Sequence, residues 1–598
     1  MRTHRLSTAI VSLSCFTLAA CGGSSTSSSR DGAEGQGGAI SQDGKGRGGS
    51  LGAGGAGVGG ALLHGTGGIG VGGADTRRPG TGGRGIGGRV TGGADASIAG
   101  ASGRDASSAG GGDGGSQGGA GGAIDGGGTP AGCAPAVTRG GQYFTFTEQF
   151  NRYYTDCAWQ PASTVYVSPS GKGKGSSPTD AASVASAFAA AAPGQLIVFT
   201  AGSYSGCYEL DGDHGGSYDN PIVLQGERKA DGSPAVTINC CGSGRRTCIN
   251  LEGADYVAID GFELVGGDYG VRSVGNRGYE ANRHQKGVAV LRNIGHGQNK
   301  DPFFTGQSDW FVIEGCTGYD SGGGDGHGIY LSNGSDWNIA RWNETYNTDS
   351  SDFQINADPL STCEDEGIAF DSPECDAVAG SHPTGGRGAS DYMWIEGNFF
   401  HHSKAQGPNF TSVRNSVVKN NIFALPARHG ASFWQETDNP KLGASNNLVA
   451  HNLVIVQARD RQAFGISNSS TGNQFKNNVV VAVSISGGAV SASPQGQLLA
   501  TDASTVKANT FEHNAWISGY FGSDDGSEYT PNDTELRLTN FDAAWFAAFP
   551  TALANDPAAF APSATAPWLD QGNLLPEVPT DRAGTVRHAP VDLGPYER

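Results

Sequence analysis

The stretch NSVVKNNIFAL, residues 415–425, holds two short apolar runs on either side of an asparagine pair. Apolar and polar residues alternate before the pair, the period-two signature of a strand, and a second apolar run follows it. The same design returns as DYVAIDGFELV (255–265), DWFVIEGCTGY (309–319), DWNIARWNETY (336–346), DYMWIEGNFFH (391–401), NNLVAHNLVIV (446–456) and GNQFKNNVVVA (472–482). Segments of a second kind lie between these copies: HGIYLSN (327–333), SDFQINAD (351–358), GPNFTSV (407–413), HGASFWQ (429–435), QAFGISN (462–468) and GGAVSAS (487–493). One unit takes roughly 23 to 31 residues where nothing is inserted, the spacing of a stacked supersecondary repeat.

The residue between the two runs decides which repeat this is. Asn343, Asn398, Asn421, Asn452, Asn478 and Asn514 occupy equivalent turn positions, with Cys316 and Phe262 standing there in earlier copies. Stacked coils put such side chains about 4.8 Å apart, close enough for each amide to donate to the next. The column resembles the asparagine ladder of right-handed parallel β-helices. Antiparallel sandwiches and propellers need hairpin turns and have no such column. Within it, Cys316 is expected to be a small buried free thiol.

The ends of the folded part carry a related likeness. TVYVSPSGKGKGSSPTDAASVASAFAAAAPGQLIVFTAGSYSG (164–206) reads as strand, loop, Ala-rich helix and strand, and GGSYDNPIVLQGE (215–227) follows it. These segments, with the closing DRAGTVRHAPVDLGPYER (581–598), resemble secreted proteins of the pectate-lyase-like and chondroitinase-B-like group. The resemblance implies an all-β, right-handed parallel β-helix over 133–598 with an N-terminal capping helix. It names no catalytic residue, because this fold hosts many functions.

The chain begins with MRTHRLSTAIVSLSCFTLAAC, a basic start followed by an apolar run too short to span a bilayer. Leu18-Ala19-Ala20-Cys21 resembles the lipobox of bacterial lipoproteins, which implies a signal peptide over 1–20 and lipidation of Cys21. Gly22 after the cysteine points to the outer membrane, at the cell surface or the periplasmic face, with the lipid as the only membrane contact. In residues 22–132, 45 of 111 positions are glycine and aromatics are nearly absent. Such a segment buries too little apolar surface to offset its ordering entropy, so residues 21–132 are expected to form a disordered tether reaching roughly 60 Å. Of the eleven cysteines, Cys15 lies in the signal. In an oxidising compartment, closeness in sequence pairs Cys133 with Cys157, Cys363 with Cys375, and Cys248 with Cys240 or Cys241. The pair Cys363 and Cys375 would staple an insertion over 359–390.

The whole chain carries a net charge of −19. Residues 1–20 contribute two arginines and 21–132 equal numbers of acids and bases, so 133–598 carries −21. So acidic a body disfavours nucleic acid as a partner, since phosphate neutralisation needs Lys and Arg. A single copy is expected to suffice.

Alternation places Ile329, Leu331, Phe353, Ile355, Phe464 and Ile466 inward. It turns Tyr330, Gln354, Thr411, Ser432 and Gly465 outward, followed by Ser332, Asn356, Trp434 and Ser467. An outward tryptophan on a polar solenoid face suits stacking on sugar rings. The turns before these strands hold Asp325 and His327, then Asp349, Lys404, Arg428 with His429, and Arg459 with Arg461. Arg matches carboxylate or sulfate in a bidentate fork. Salt bridges to Glu364, Asp365 and Glu366 of the insertion are the alternative use of these cations.

An acidic polysaccharide is therefore the expected ligand, and β-elimination the expected reaction. Lys404, depressed by like charge, would serve as base, with His429 or His327 as alternatives. Tyr330, Gln354, Asn356, Arg428, Trp434, Glu436, Arg459 and Arg461 would line the substrate. No cofactor is required by the pattern. Ca2+ is the candidate for neutralising the carboxylate, with Asp320, Asp325, Asp352 and Asp358 as oxygen donors, although they match no calcium loop. The alternatives are a non-catalytic glycan-binding adhesin or structural surface protein, and a glycoside hydrolase or uronate epimerase on the same scaffold.

Overall fold

A computed structural model describes residues 150–240, 246–275, 284–358, 389–435, 442–457, 462–522, 529–550 and 556–598. The signal and tether, Cys21, Cys133, Cys241, Cys363, Cys375, Glu436, Arg459 and Arg461 lie outside them, as does the insertion from 359 to 388.

Three long sheets of 12, 11 and 13 strands run the length of the solenoid, with one strand per coil except for an extra antiparallel strand in the third. Each coil passes from the first sheet to the third and then the second, as in Val257–Asp260, Phe262–Val265 and Tyr269–Val274. Neighbouring coils pair in parallel and in register, for example Trp394 with Val417 and Val417 with Leu448. The protein is a right-handed parallel β-helix. Its core is the inward column of all three sheets, from Val167 and Phe199 through Ile329, Phe353 and Phe433 to Trp516. The helix Val184–Phe188, N-capped by the Ser183 hydroxyl, buries Val184, Ala187 and Phe188 against the first coils. It covers an end that would otherwise be an open edge.

The corner between the first and third sheets explains the repeat. The residue before each ladder position has a left-handed backbone: Gly261, Arg292, Gly315, Trp342, Gly397, Asn420, His451, Asn477 and His513. For a residue with a Cβ this costs about 1–2 kcal/mol, and the ladder's buried hydrogen bonds offset it. Asn343, Asn398, Asn421, Asn452 and Asn478 each donate Nδ2 to the next Oδ1 at 2.9–3.1 Å, and Asn514 ends the series on Glu535. Cys316 is buried and free, and its Sγ accepts the Asn293 N–H. Asn293 is an additional rung, in a coil (Ala289–Leu291, Ile294–His296) that the repeat segments read from the sequence pass over. A second ladder, Asn447–Asn473–Asn509, braces the corner between the second and first sheets.

Cys240 and Cys248 form a disulfide, and Cys157 and Cys207 are also disulfide-bonded. One strand assignment changes. Residues 489–492 of GGAVSAS do not enter the second sheet but fold back antiparallel on 483–486. Gly487 and Gly488, both at positive φ, make a tight hairpin there, and Gln497–Ala500 supplies the second-sheet strand instead.

The chain itself covers the outer face of the first sheet and part of that of the third. On the first sheet, Val223, Ala289, Val312, Ile339, Trp394 and Val417 pack with Phe150 and Tyr154 from the N-terminal side and with Val578 from the C-terminal tail. On the later coils of the third sheet, Ile422, Leu453, Val479 and Ala515 pack under Phe546, Phe560 and Trp568 of the tail. Among the described residues, no comparable apolar cluster lies on the outside of the second sheet.

Candidate functional site

The second sheet sets Ile329, Leu331, Phe353, Ile355, Phe464 and Ile466 in the core, as the alternation requires. Outward, one column runs Arg272, Phe304, Tyr330, Gln354, Asn409, Ser432, Gly465, and the next runs Gly306, Ser332, Asn356, Thr411, Trp434. Thr411 therefore stands with Asn356 rather than with Gln354, whose neighbour is Asn409. The shift follows from Asn409–Thr411 being a three-residue strand paired from Asn409 onward.

Trp434 points outward and is half-buried. Its indole Nε1 donates to Asn409 Oδ1 at 2.6 Å. Asn409 Nδ2 in turn reaches Gln354 Oε1 at 3.3 Å, and the Ser351 hydroxyl donates to the same oxygen at 3.3 Å. Gln406 Nε2 donates to Ser351 Oγ at 2.9 Å. A hydrogen-bonded chain thus crosses the face from the turn to Trp434 and fixes the tryptophan by its edge. Tyr330 and Asn356 are on this face but each is only 9% exposed. Tyr330 is covered by the Phe304 and His327 rings, with centroids at 5.3 and 4.8 Å. Gln354, Ser432 and Trp434 are partly open, as are Arg272 and Phe304 in the earlier coils.

The two turn histidines are not where a substrate can reach them. His327 is 3% exposed and His429 2%. The His327 N–H donates to Asp301 Oδ1 at 2.8 Å, and its Nδ1 accepts the Ser351 N–H at 3.2 Å. Burial pushes the His327 imidazole down to about 4, which keeps it neutral as that acceptor. The expectation that either histidine is the base is therefore corrected: stacking of turn on turn buries them as struts. Asp301 beneath is also buried, and burial reinforced by the Asp325 charge pushes its carboxyl up to about 8.

Lys404 keeps 52% of its side chain exposed, and its Nζ sits 2.9 Å from Asp349 Oδ1. The like-charge neighbourhood expected for it is corrected: its close partner is a carboxylate from the preceding coil. The pair holds Asp349 below the ordinary carboxylate range, chiefly through the Lys404 hydrogen bond. Lys300 and Arg428 are exposed in the same row of turns, so the described part of the row alternates in sign rather than forming a purely basic ridge.

The four aspartates offered to Ca2+ are separate. Asp320 accepts from Asn347, Asp352 is buried and accepts from Thr348 at 3.0 Å, Asp325 approaches His327 Nε2 at 3.9 Å, and the Asp358 N–H donates to Asn356. Among the described residues, no three His, Cys, Asp or Glu side chains converge as a metal site.

The chain matches no family model and no curated protein. Solved structures do resemble it. Pectate lyase Pel9A aligns at 14% identity over 74% of this chain and 98% of that one, with a TM-score of 0.46. An alginate lyase from Paenibacillus sp. str. FPU-7 aligns at 13% over 52% of this chain and 93% of that one, with a TM-score of 0.38. A mannuronic acid specific polysaccharide family 6 lyase from human gut microbiota aligns at 12% over 63% and 82%, with a TM-score of 0.30. These are likenesses of architecture, and the site is read from this chain's own side chains.

Sequence reasoning missed Asn409, Ser351 and Gln406, whose polar character is ordinary until stacking lines them up. It also passed over His401 and His402, adjacent histidines at the end of a third-sheet strand, two residues before Lys404.

Proposed function

We propose that the outer face of the second sheet binds an extended acidic polysaccharide, and that β-elimination is the reaction performed on it. The observation that carries this reading is Trp434, outward on the second sheet and anchored by its edge to Asn409. A tryptophan fixed in this way offers a ring face without further ordering cost, the property that makes aromatic anchors effective on polar ligands. The exposed Lys404 and Arg428 in the adjoining turns supply the cations that a uronate or sulfate would meet. The covering of the first sheet and of the later coils of the third supports the same choice of face.

Titration with pectate, alginate and sulfated glycosaminoglycans, alongside a neutral glycan, tests this. Acidic chains should bind more tightly than the neutral one and lose affinity as salt rises. Trp434→Ala should weaken binding roughly tenfold or more while leaving thermal stability almost unchanged. Equal affinity of the variant, or no preference for acidic chains, would sink the reading. Absorbance of an unsaturated uronate product would establish elimination. Its absence with binding retained would leave the adhesin reading in its place.

A further inference from the structure

His401, on the outer side of the third sheet, is held between two aromatic rings. Tyr346 stacks at 5.1 Å and Phe399 at 4.0 Å, and the imidazole has no exposed surface. Both its nitrogens are engaged. Nε2 lies 3.1 Å from Glu344 Oε1, and Nδ1 lies 2.9 Å from Nδ1 of His402. The His402 ring is perpendicular to it and half-buried, at the left-handed residue that opens the turn towards Lys404. Among the described residues, nothing hydrogen-bonds His402 Nε2.

This geometry leaves two consistent proton arrangements. With Glu344 ionised, His401 donates from Nε2, accepts at Nδ1 from His402 Nδ1–H, and His402 Nε2 is a lone pair. With Glu344 protonated, every hydrogen reverses and His402 Nε2 carries N–H. We propose that Glu344, His401 and His402 are a proton relay, in which His402 Nε2 takes the proton from the carbon beside a uronate carboxylate and Glu344 finally holds it. The C–H proton forms the His402 Nε2–H bond while His402 Nδ1–H passes to His401 Nδ1 and His401 Nε2–H passes to Glu344. The C–H electron pair becomes the new C=C bond, the bond to the leaving sugar oxygen breaks, and that oxygen takes a proton from water. Glu344 then returns its proton to solvent by the same path. His402 is the catalytic residue, and His401 and Glu344 act through it.

Burial explains why a relay is needed. It pushes His401 down to about 3 and His402, with the neighbouring His401 charge adding to it, down to about 4, so neither ring can keep a proton as imidazolium near neutrality. Burial raises Glu344 to about 7 against the opposing pull of Arg582 in the C-terminal tail, which is where a proton acceptor is most effective. The titratable and charged groups facing the relay are Glu344, the two neutral histidines, the Tyr346 phenol stacked on His401, and Arg582. The accepting form exists above about 7, so turnover should rise with pH through that value.

The proposal rests on the second-sheet face being the glycan site, so the relay and the face are tested apart. On the full chain without glycan, histidine 15N spectra should show His402 exchanging its N–H from Nε2 to Nδ1 as pH rises through about 7, with neither ring becoming imidazolium in that range. Glu344→Gln should freeze the tautomers. With glycan, His402→Gln should lower turnover roughly 10²- to 10⁴-fold while affinity for the glycan is retained. Glu344→Gln should remove the pH limb near 7. Ordinary imidazolium titration of either ring, a tautomer change that survives Glu344→Gln, or full turnover by His402→Gln would each overturn the relay. Loss of glycan affinity in Trp434→Ala, measured in parallel, reports on the face and not on the relay.

Discussion

Asn421→Ala is expected to destabilise the solenoid by roughly 3–5 kcal/mol, because it strands several buried groups at once. Asn421 Oδ1 accepts both the backbone N–H and the side-chain Nδ2 of Asn398, each at 2.9 Å. Its Nδ2 donates to the Ile395 carbonyl at 3.0 Å and to Asn452 Oδ1 at 2.9 Å. Alanine fulfils none of these, and water has no access to a side chain with no exposed surface. Asn347→Ala is the comparison. It removes a half-exposed amide whose partner Asp320 is open to solvent and puts alanine at a left-handed backbone, so it should cost only about 1 kcal/mol. Denaturant midpoints of the two variants check the contrast. Equal midpoints would mean that the ladder does not carry the stability assigned to it.

Arg341→Met should cost about 3–4 kcal/mol, by leaving a charge beneath the N-terminal segment without its partner. Arg341 is 1% exposed, and its Nε meets Glu314 Oε2 at 2.6 Å. The same carboxylate oxygen accepts the Tyr154 hydroxyl at 2.9 Å, so one ion pair joins the first sheet to the segment that covers it. The guanidinium also faces the Trp342 ring at 4.5 Å. Removing it leaves Glu314 with the Tyr154 hydroxyl and only the more distant charge of Arg292, and the segment around Phe150 and Tyr154 should open first. Faster amide exchange over 150–156, together with a lower denaturant midpoint, is the expected result. Lys404→Met, which breaks an exposed pair of similar length, should change stability by less than about 1 kcal/mol.

The parts of this architecture that repeat were legible in the sequence, and the parts created by stacking were not. The amide at a fixed place between two apolar runs is visible in a single chain, and so are the free Cys316 beside it and the outward Trp434. Depth is different. His327 and His429 are flanked by glycine and look like exposed turn residues, yet turns stacked on turns bury them. Asp349 and Lys404 are 55 residues apart, and only the coil spacing brings them to 2.9 Å. The apolar residues of the tail read as a closing segment, whereas Phe546, Phe560 and Trp568 cover the third sheet. GGAVSAS had the composition of a strand, but its glycine pair made it a hairpin. The Glu344–His401–His402 chain spans two coils and has no one-dimensional signature.

The central claim is that the second sheet is the glycan face. Hydroxyl-radical footprinting of the full chain, with and without an acidic oligosaccharide at saturating concentration, addresses it directly. Trp434 should be protected in the complex, while Trp337 at the first-sheet corner and Tyr319 on the third sheet should oxidise as before. Protection of Trp337 or Tyr319 with Trp434 unchanged would place the ligand on another face and contradict the account.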